Sequence, residues 1–221
     1  MTERLYEKWW ENNLGGKTYG HGSSQHKAPT CEEFEAWMGD KDSLDRQFMR
    51  KQWKMPFSTL LDAGCGACPE YFGLKEAFPE VEYTGLDVTP KLVKFNQDRG
   101  INCILGSLEN IPFEDDSFDV SLSRHVVEHM SQIDKPLDEL IRVTKNQVIM
   151  CFFIDPLENR TFNHIIKLDD AGTTSECHHN KYSSTLISSQ LDSNPKVDAH
   201  TWVVDDYKSP SKSYLIIELN K

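Results

Sequence analysis

Residues 60–69 read LLDAGCGACP, an apolar run that ends in Asp62 and passes through Gly64 and Gly66 toward a helix start at Pro69. Glycines at such a junction let the chain turn sharply and let a ligand approach the backbone closely. A dinucleotide fingerprint needs GxGxxG, and counting from Gly64 puts Pro69 where the third glycine belongs, which argues against a bound pyrophosphate and so against a nicotinamide-dependent dehydrogenase. Asp62 points the same way, because a carboxylate at the strand tip repels a diphosphate but suits a ligand carrying an ammonium and a sulfonium. Cys65 and Cys68 form a CxxC, a spacing used in redox and metal chemistry. No second pair at zinc spacing accompanies it, so both read as small loop residues and no metal is expected. Thiol-dependent chemistry on a soft metalloid such as arsenite would need three thiolates to converge, and only Cys65 and Cys68 lie close in sequence.

Further candidates follow along the chain. Ser123, Arg124 and His125 end a predicted strand, with Glu128 and His129 just beyond. Ligands of parallel α/β sheets lie at the carboxyl ends of strands, so Arg124 and His125 are expected to face one. Tyr19, His21 and His26 form a cluster near the start of the chain, and His178, His179, Asn180 and Tyr182 form another late in it. Histidines in such loops are more often solvated than catalytic. Where a general base is needed they are nevertheless the natural choice, since an unperturbed imidazole titrates near pH 6.5.

The elements that must position these residues divide the chain in two. Residues 1–57 lack strand alternation; they hold two predicted helices, 2–12 and 30–54, around a Gly-, Ser-, His- and Lys-rich loop at 15–30. Thr30 and Glu33 carry the spacing of a capping box for the second helix. From residue 58 short apolar runs alternate with helical segments, the pattern of βαβ units and a parallel sheet. Strands are predicted at 59–63, 82–87, 102–106, 118–123 and 147–153, with helices at 69–77, 90–98 and 136–144 between them. A helix at 181–193 and strands at 196–204 and 213–219, joined by a turn-rich 205–212, close the pattern. The first unit is expected to cap the second as a lid, with Tyr19 and His21 on its loop and Trp9, Trp10, Trp37 and Phe48 docking its helices beside the ligand cleft.

Composition bounds the function. The 221 residues carry 24 Lys+Arg and 35 Asp+Glu, a formal charge of -11. Residues 1–57 hold 9 basic and 9 acidic groups, leaving 15 basic against 26 acidic in the rest. Nucleic acid binding needs clustered cations to displace counterions, and an acidic core without a Lys/Arg stripe disfavours it. Apolar runs such as 148–154 are far shorter than the roughly 20 residues that span a bilayer, so no membrane span is expected. The first ten residues mix charges and aromatics without an apolar stretch, and the six cysteines lack the spacing of a small secreted domain, so a cytoplasmic protein with reduced cysteines is expected.

Three motifs in order, LLDAGCGAC, YTGLDVTP and GSLENIPFEDDSFDVSLSRHVVEH, resemble the class I S-adenosylmethionine-dependent methyltransferases, and within them the broad type 11 small-molecule group. The resemblance covers residues 60–150. It implies an α/β Rossmann-like fold, with a mostly parallel seven-stranded sheet, helices on both faces and a helical lid over residues 1–57. By the same resemblance Asp62, Gly64 and Gly66 line the methionine part of S-adenosylmethionine, with Cys65 contributing backbone. Asp87 takes both ribose hydroxyls, for which a carboxylate is well shaped, and Val88 packs on the adenine. Ser107 and Leu108 stand at the adenine position, where Ser107 replaces the usual Asp; Cys68 replaces the usual third glycine of the loop. Arg124 and Tyr19 are further cofactor contacts. His125 and His21 are the candidate bases, and His129 matches a Glu-His pair that holds its helix to the sheet.

The implied reaction is in-line transfer of a methyl from S-adenosylmethionine to an oxygen or nitrogen of a small-molecule acceptor, leaving S-adenosylhomocysteine. The protein mainly aligns the partners and excludes water, and a base is needed only for an acceptor that starts protonated. The alternatives are a methyltransferase acting on RNA or protein and a non-catalytic relative that binds S-adenosylmethionine without turnover.

Overall fold

The computed structural model describes residues 19–21, 24–26, 30–54, 56–156, 158–170, 173–205 and 212–220, with the backbone alone for 19–26, 166–177 and 205 within those spans. The predicted helix at 2–12, Trp9, Trp10, and the side chains of Tyr19, His21 and His26 lie outside the described residues, as does most of the predicted turn at 205–212.

Seven strands form one sheet. In chain order they are β3 (Thr59–Ala63), β4 (Glu82–Asp87), β5 (Cys103–Leu105), β6 (Phe118–Arg124), β7 (Thr144–Phe152), β10 (Val197–Asp205) and β11 (Lys212–Leu219), arranged β10-β11-β7-β6-β3-β4-β5. Only β11 opposes its neighbours, pairing antiparallel with both β7 and β10, while β5, β4, β3, β6 and β7 pair in parallel. The chain runs outward from β3 to β5 on one side, then crosses to β6 on the other. The reversal point lies between the carboxyl ends of β3 and β6, where open α/β sheets form their crevice.

Alternate residues of the inner strands feed two cores. Leu61, Val148, Met150, Phe152, Leu215 and Ile217 pack on one face against α5 (Asp134–Val143) and α6 (Ser184–Ser193), through Leu137, Leu140, Ile187 and Leu191. Leu60, Leu122, Ile149, Cys151 and Tyr214 pack on the other against Met49, Leu74 and Val93. Those three belong to α2 (Leu44–Gln52), α3 (Pro69–Ala77) and α4 (Pro90–Asp98). A strand buried on both faces reads as a continuous apolar run, which is why the runs were visible in the sequence. The sheet is therefore mostly parallel with helices on both faces, and among the described residues no helix is long and apolar enough to cross a membrane.

Three local expectations need correction. The predicted helix over 30–54 is two helices, α1 (Cys31–Met38) and α2, because Gly39 ends the first, its N–H bonded to Glu35 O, and Asp40 Oδ1 then accepts from Asp42 N in a tight turn. The Thr30–Glu33 capping box is present at its start. The loop over 15–30 contains a short antiparallel hairpin, β1 (Tyr19–His21) with β2 (Ser24–His26). A second hairpin, β8 (Ile165–Asp170) with β9 (Thr173–His178), precedes α6 and was not foreseen; its polar strands lack a period-2 apolar face.

Candidate functional site

A cavity of about 360 Å³ opens at the reversal point. The β3–α3 loop forms its floor, and the loop's tight course depends on glycine. Gly64 sits at φ +83° and Gly66 at φ +55°, and a Cβ on Gly64 would stand 2.2 Å from Val126 Cγ2. The loop is tied to the next strand through Asp87, whose Oδ2 accepts from Gly66 N (2.9 Å) and whose Oδ1 accepts from Thr89 N (2.9 Å). Asn96 Nδ2 holds it from α4, donating to Gly66 O (2.7 Å).

Asp62, Gly64, Cys65, Gly66, Asp87, Val88, Leu108, Arg124 and His125, all singled out from sequence, line this one cavity. Ser107 is displaced from that set: its hydroxyl accepts from Glu109 N (2.9 Å), and Leu108 and Glu109 reach the cavity in its place. Tyr19 and His21 fall among the residues whose side chains are not described.

Asp62 is almost wholly buried, with Tyr83 Oη donating to its Oδ2 (2.8 Å). Burial, and then the neighbouring Glu70, push its carboxyl up to about 7. Asp87 is also pushed up by burial, against the hydrogen bonds from Thr89 and Gly66. Each of its oxygens has a second lone pair left for a ligand donor. In register Asp62 pairs with Gly85 and Ala63 with Leu86, so Asp87 stands two residues farther along the adjacent strand. At about 3.3 Å per residue and about 4.8 Å between strands, the two acids are roughly 8 Å apart along the backbone, a span for two ends of one extended ligand.

Arg124 turns out to be committed to Asp45 of α2, whose Oδ2 lies 2.6 Å from both its Nε and its NH2. Burial raises Asp45, yet the Arg124 guanidinium prevails and holds it below the ordinary carboxylate range. His125 sits at φ +58°, a left-handed conformation that costs a non-glycine residue and recurs at functional sites. Its Nε2 is 3.6 Å from Asp45 Oδ2 and 3.6 Å from Cys151 Sγ. Burial, then Arg124, push the imidazole well below its usual value, so it is neutral at pH 7.

Beyond His125, Val127–His129 is a single 3-10 turn rather than a helix. Glu128 is fully buried; its Oε1 accepts from Phe153 N (2.6 Å) and Ile154 N (3.3 Å), and burial pushes it up to about 7. His129 stacks on Phe153 with centroids 5.1 Å apart, and both line the cavity. The late cluster buttresses this turn: Asn180 Nδ2 donates to Met130 O (2.6 Å), and Tyr182 Oη donates to Val127 O (3.0 Å) and Met130 O (2.7 Å).

The first unit's helices were expected beside the cleft with Trp37, but Phe34 and Arg46 were not singled out from the sequence. Phe34 and Trp37 of α1 and Arg46 of α2 line the cavity, and Phe34 Cε1 would lie 3.2 Å from a Cβ on Gly66. A buried Glu70 clamps α2 to α3, accepting from Arg46 NH1 and Arg50 NH1 at 3.0 Å each. The arginines at 46 and 50, one turn apart opposite an acid in the first turn of α3, were the signal available.

A sheet in which only the last strand opposes the rest, with acids at the tips of its first two strands around a glycine loop, is a Rossmann-like arrangement shared with solved structures described as S-adenosylmethionine-dependent methyltransferases. Residues 61–152 match the family model described as a methyltransferase domain. Its sequence is similar to an uncharacterized methyltransferase, YcgJ, of Bacillus subtilis, 27% identical over 60% of this chain and 56% of that one. It is also similar to a tRNA (carboxymethyluridine(34)-5-O)-methyltransferase of Arabidopsis thaliana, 33% identical over 40% of this chain and 22% of that one. The chain thus spans about half or less of the length of these relatives. In fold it is similar to the PH0226 protein of Pyrococcus horikoshii, with a TM-score of 0.58 at 16% identity over 86% of this chain and 92% of that one.

Proposed function

We propose that the chain is a methyltransferase that binds S-adenosylmethionine in the cavity at the β3–β6 reversal point and methylates an oxygen or nitrogen of a small molecule. The observation that carries this is the pair Asp62 and Asp87, on adjacent strand tips and lining one cavity around the glycine loop. The site's residues fit that ligand. At Asp62 burial and Glu70 outweigh the partly committed Arg46 and displace the carboxyl to about 7, so an ammonium placed against it would be favoured. When bound, S-adenosylmethionine supplies a methyl made electrophilic by its sulfonium.

This chain's residues then have the following roles. Asp62 holds the ammonium end, Asp87 accepts hydrogen bonds from ribose hydroxyls, and Val88 and Leu108 give the base an apolar surface. His125, neutral and edge-on to Phe153 with ring centroids 5.5 Å apart, is the group placed to take a proton from an acceptor hydroxyl or ammonium. Residues 30–57, with Phe34 and Trp37 at the mouth, exclude water as a cap. A cavity of this size and a net charge of -11 favour a metabolite over RNA. Calorimetry with S-adenosylhomocysteine and NADH tests the ligand, and conversion of S-adenosylmethionine with small oxygen and nitrogen nucleophiles, set against RNA and protein acceptors, tests the acceptor. Tighter binding of NADH, or turnover with RNA alone, overturns the proposal.

A further inference from the structure

Cys103 begins β5 directly opposite Gly85 of β4. Because Gly85 has no side chain, a space opens over the sheet beneath the glycine loop: a Cβ there would stand 2.8 Å from Cys65 Sγ and 3.2 Å from Cys68 Sγ. Three sulfurs, those of Cys65, Cys68 and Cys103, converge in that space within 4.8 Å of one another, and Cys65 and Cys103 are 3.5 Å apart. The third thiol, absent from any sequence spacing, arrives by strand pairing.

The position of Cys68 shows that the convergence is maintained against a cost. It precedes α3 at φ +55°, where glycine is favoured, and a left-handed non-glycine residue costs on the order of a kilocalorie per mole or more. Its side chain is fully buried with the sulfur aimed into the cluster. Asn96 Nδ2 adds a donor 3.7 Å from Cys103 Sγ while also holding Gly66 O, so the cluster and the loop share one anchor. Cys65 is on the cavity lining, so the cluster lies directly behind the cavity wall.

We propose that Cys65, Cys68 and Cys103 form a three-thiol site for trivalent arsenic, directly behind the cavity wall and coupled to the glycine loop. Bonds of about 2.3 Å to thiolate sulfur, at pyramidal to tetrahedral angles, make sulfur–sulfur edges of roughly 3.5 to 3.8 Å, so little movement is required. Charge selects the ion. Arsenous acid binds by exchanging three As–O bonds for three As–S bonds, each hydroxide leaving as water with a thiol proton, or with one from solvent where a cysteine is already ionised. Arsenic stays trivalent and the product is neutral. A divalent zinc or cadmium ion on three thiolates would instead bury a net negative charge beside Asp62 and Asp87. Three-sulfur binding needs no fourth ligand.

The binding site itself does not depend on the methyltransferase reading; its coupling to cofactor does. Whole protein in a thiol-free reductant is incubated with arsenite, freed of excess by gel filtration, and measured for arsenic content and by X-ray absorption. One arsenic per chain with three sulfur and no oxygen neighbours is expected, retained in Cys31→Ser and lost in Cys103→Ser and Cys68→Ser. If those variants fail to fold, the sulfur count of the wild-type spectrum decides. No retained arsenic, one or two sulfur neighbours, or displacement by equimolar zinc overturns the site. Arsenic occupancy should weaken S-adenosylhomocysteine at least tenfold, and equal affinity with and without arsenic overturns the coupling. Arsenic retained by a protein that never binds S-adenosylhomocysteine leaves the site standing and removes the cofactor reading.

Discussion

Lowering the pH from 7 to 5 should weaken S-adenosylhomocysteine binding about fifty-fold, or ~2.3 kcal/mol, through Asp62 alone. The figure follows from a carboxyl pushed up to about 7 by burial and Glu70. About half of the ligand-free molecules then hold it ionised at pH 7 and about one in a hundred at pH 5. An ammonium is stabilised only by the ionised form, so binding must draw the proton off, and at pH 6 about 0.9 proton should be released per ligand. Titration calorimetry in two buffers of different ionisation enthalpy measures both quantities. Adenosine is the control, because it keeps the ribose for Asp87 but carries no ammonium, and its affinity should not follow the same slope. Asp62→Asn should flatten the S-adenosylhomocysteine profile and lower the affinity at pH 7. A wild-type profile flat between pH 5 and 7, or the same slope for adenosine, would refute the assignment of Asp62.

Stability should carry the same groups with a definite sign. Asp62 and Glu128 both lie above their unfolded values, so these two groups bind protons more tightly in the folded chain between about pH 4 and 7, and their contribution to the melting temperature of the ligand-free protein should fall as pH rises through that window, against the opposite contribution of His125, whose imidazole is pushed down. Glu128→Gln should reduce the slope; an unchanged slope would mean Glu128 is already ionised when folded. Gly64→Ala forces a side chain into a φ of +83° and onto Val126, so it should cost about 2 kcal/mol or more in denaturant unfolding, with Val126→Ala recovering the steric part only. Glu70→Gln leaves Arg46 and Arg50 facing a neutral amide in a buried site, and a loss of about 3 kcal/mol is expected; a change below about 1 kcal/mol would show the clamp is solvated.

The sheet was legible because its signals are local. Strands over 59–63 and 82–87 and helices over 69–77 and 90–98 coincide with the observed bounds, since an apolar run buried on both faces ends where proline starts the next helix. The break at Gly39 was in the sequence but outweighed by the polar-apolar rhythm on either side of it. The hairpin at 165–178 had only the turn residues Asp170 and Gly172 to announce it, between strands without apolar alternation. Long-range placement was illegible for a different reason: Asp45 meets Arg124 across 79 residues of sequence and Cys65 meets Cys103 across 38, and no spacing rule encodes strand order or helix docking. The motif residues reached one cavity because the strand tips that carry them are neighbours in the sheet. The walls of that cavity came from α1 and α2, whose contribution depends on the Glu70 clamp.

That clamp also sets the charge of the cavity. Arg46 and Arg124 both line it, and taken alone they would make it cationic. Each is answered from outside the ligand's path, Arg46 by Glu70 at 3.0 Å and Arg124 by Asp45 at 2.6 Å, both acids buried. With those two charges compensated, the lining sets Asp62, Asp87 and Glu109 against Lys212, and burial weakens the screening that water would provide. His125, held neutral between Arg124 and Asp45, adds no positive charge at pH 7. The helices of the first unit therefore do more than cover the cleft. By bringing Asp45 to Arg124, and Arg46 and Arg50 to Glu70, they compensate Arg46 and Arg124 on a lining that also holds Lys212, which shifts the cavity's balance toward its acids and so toward a positively charged ligand.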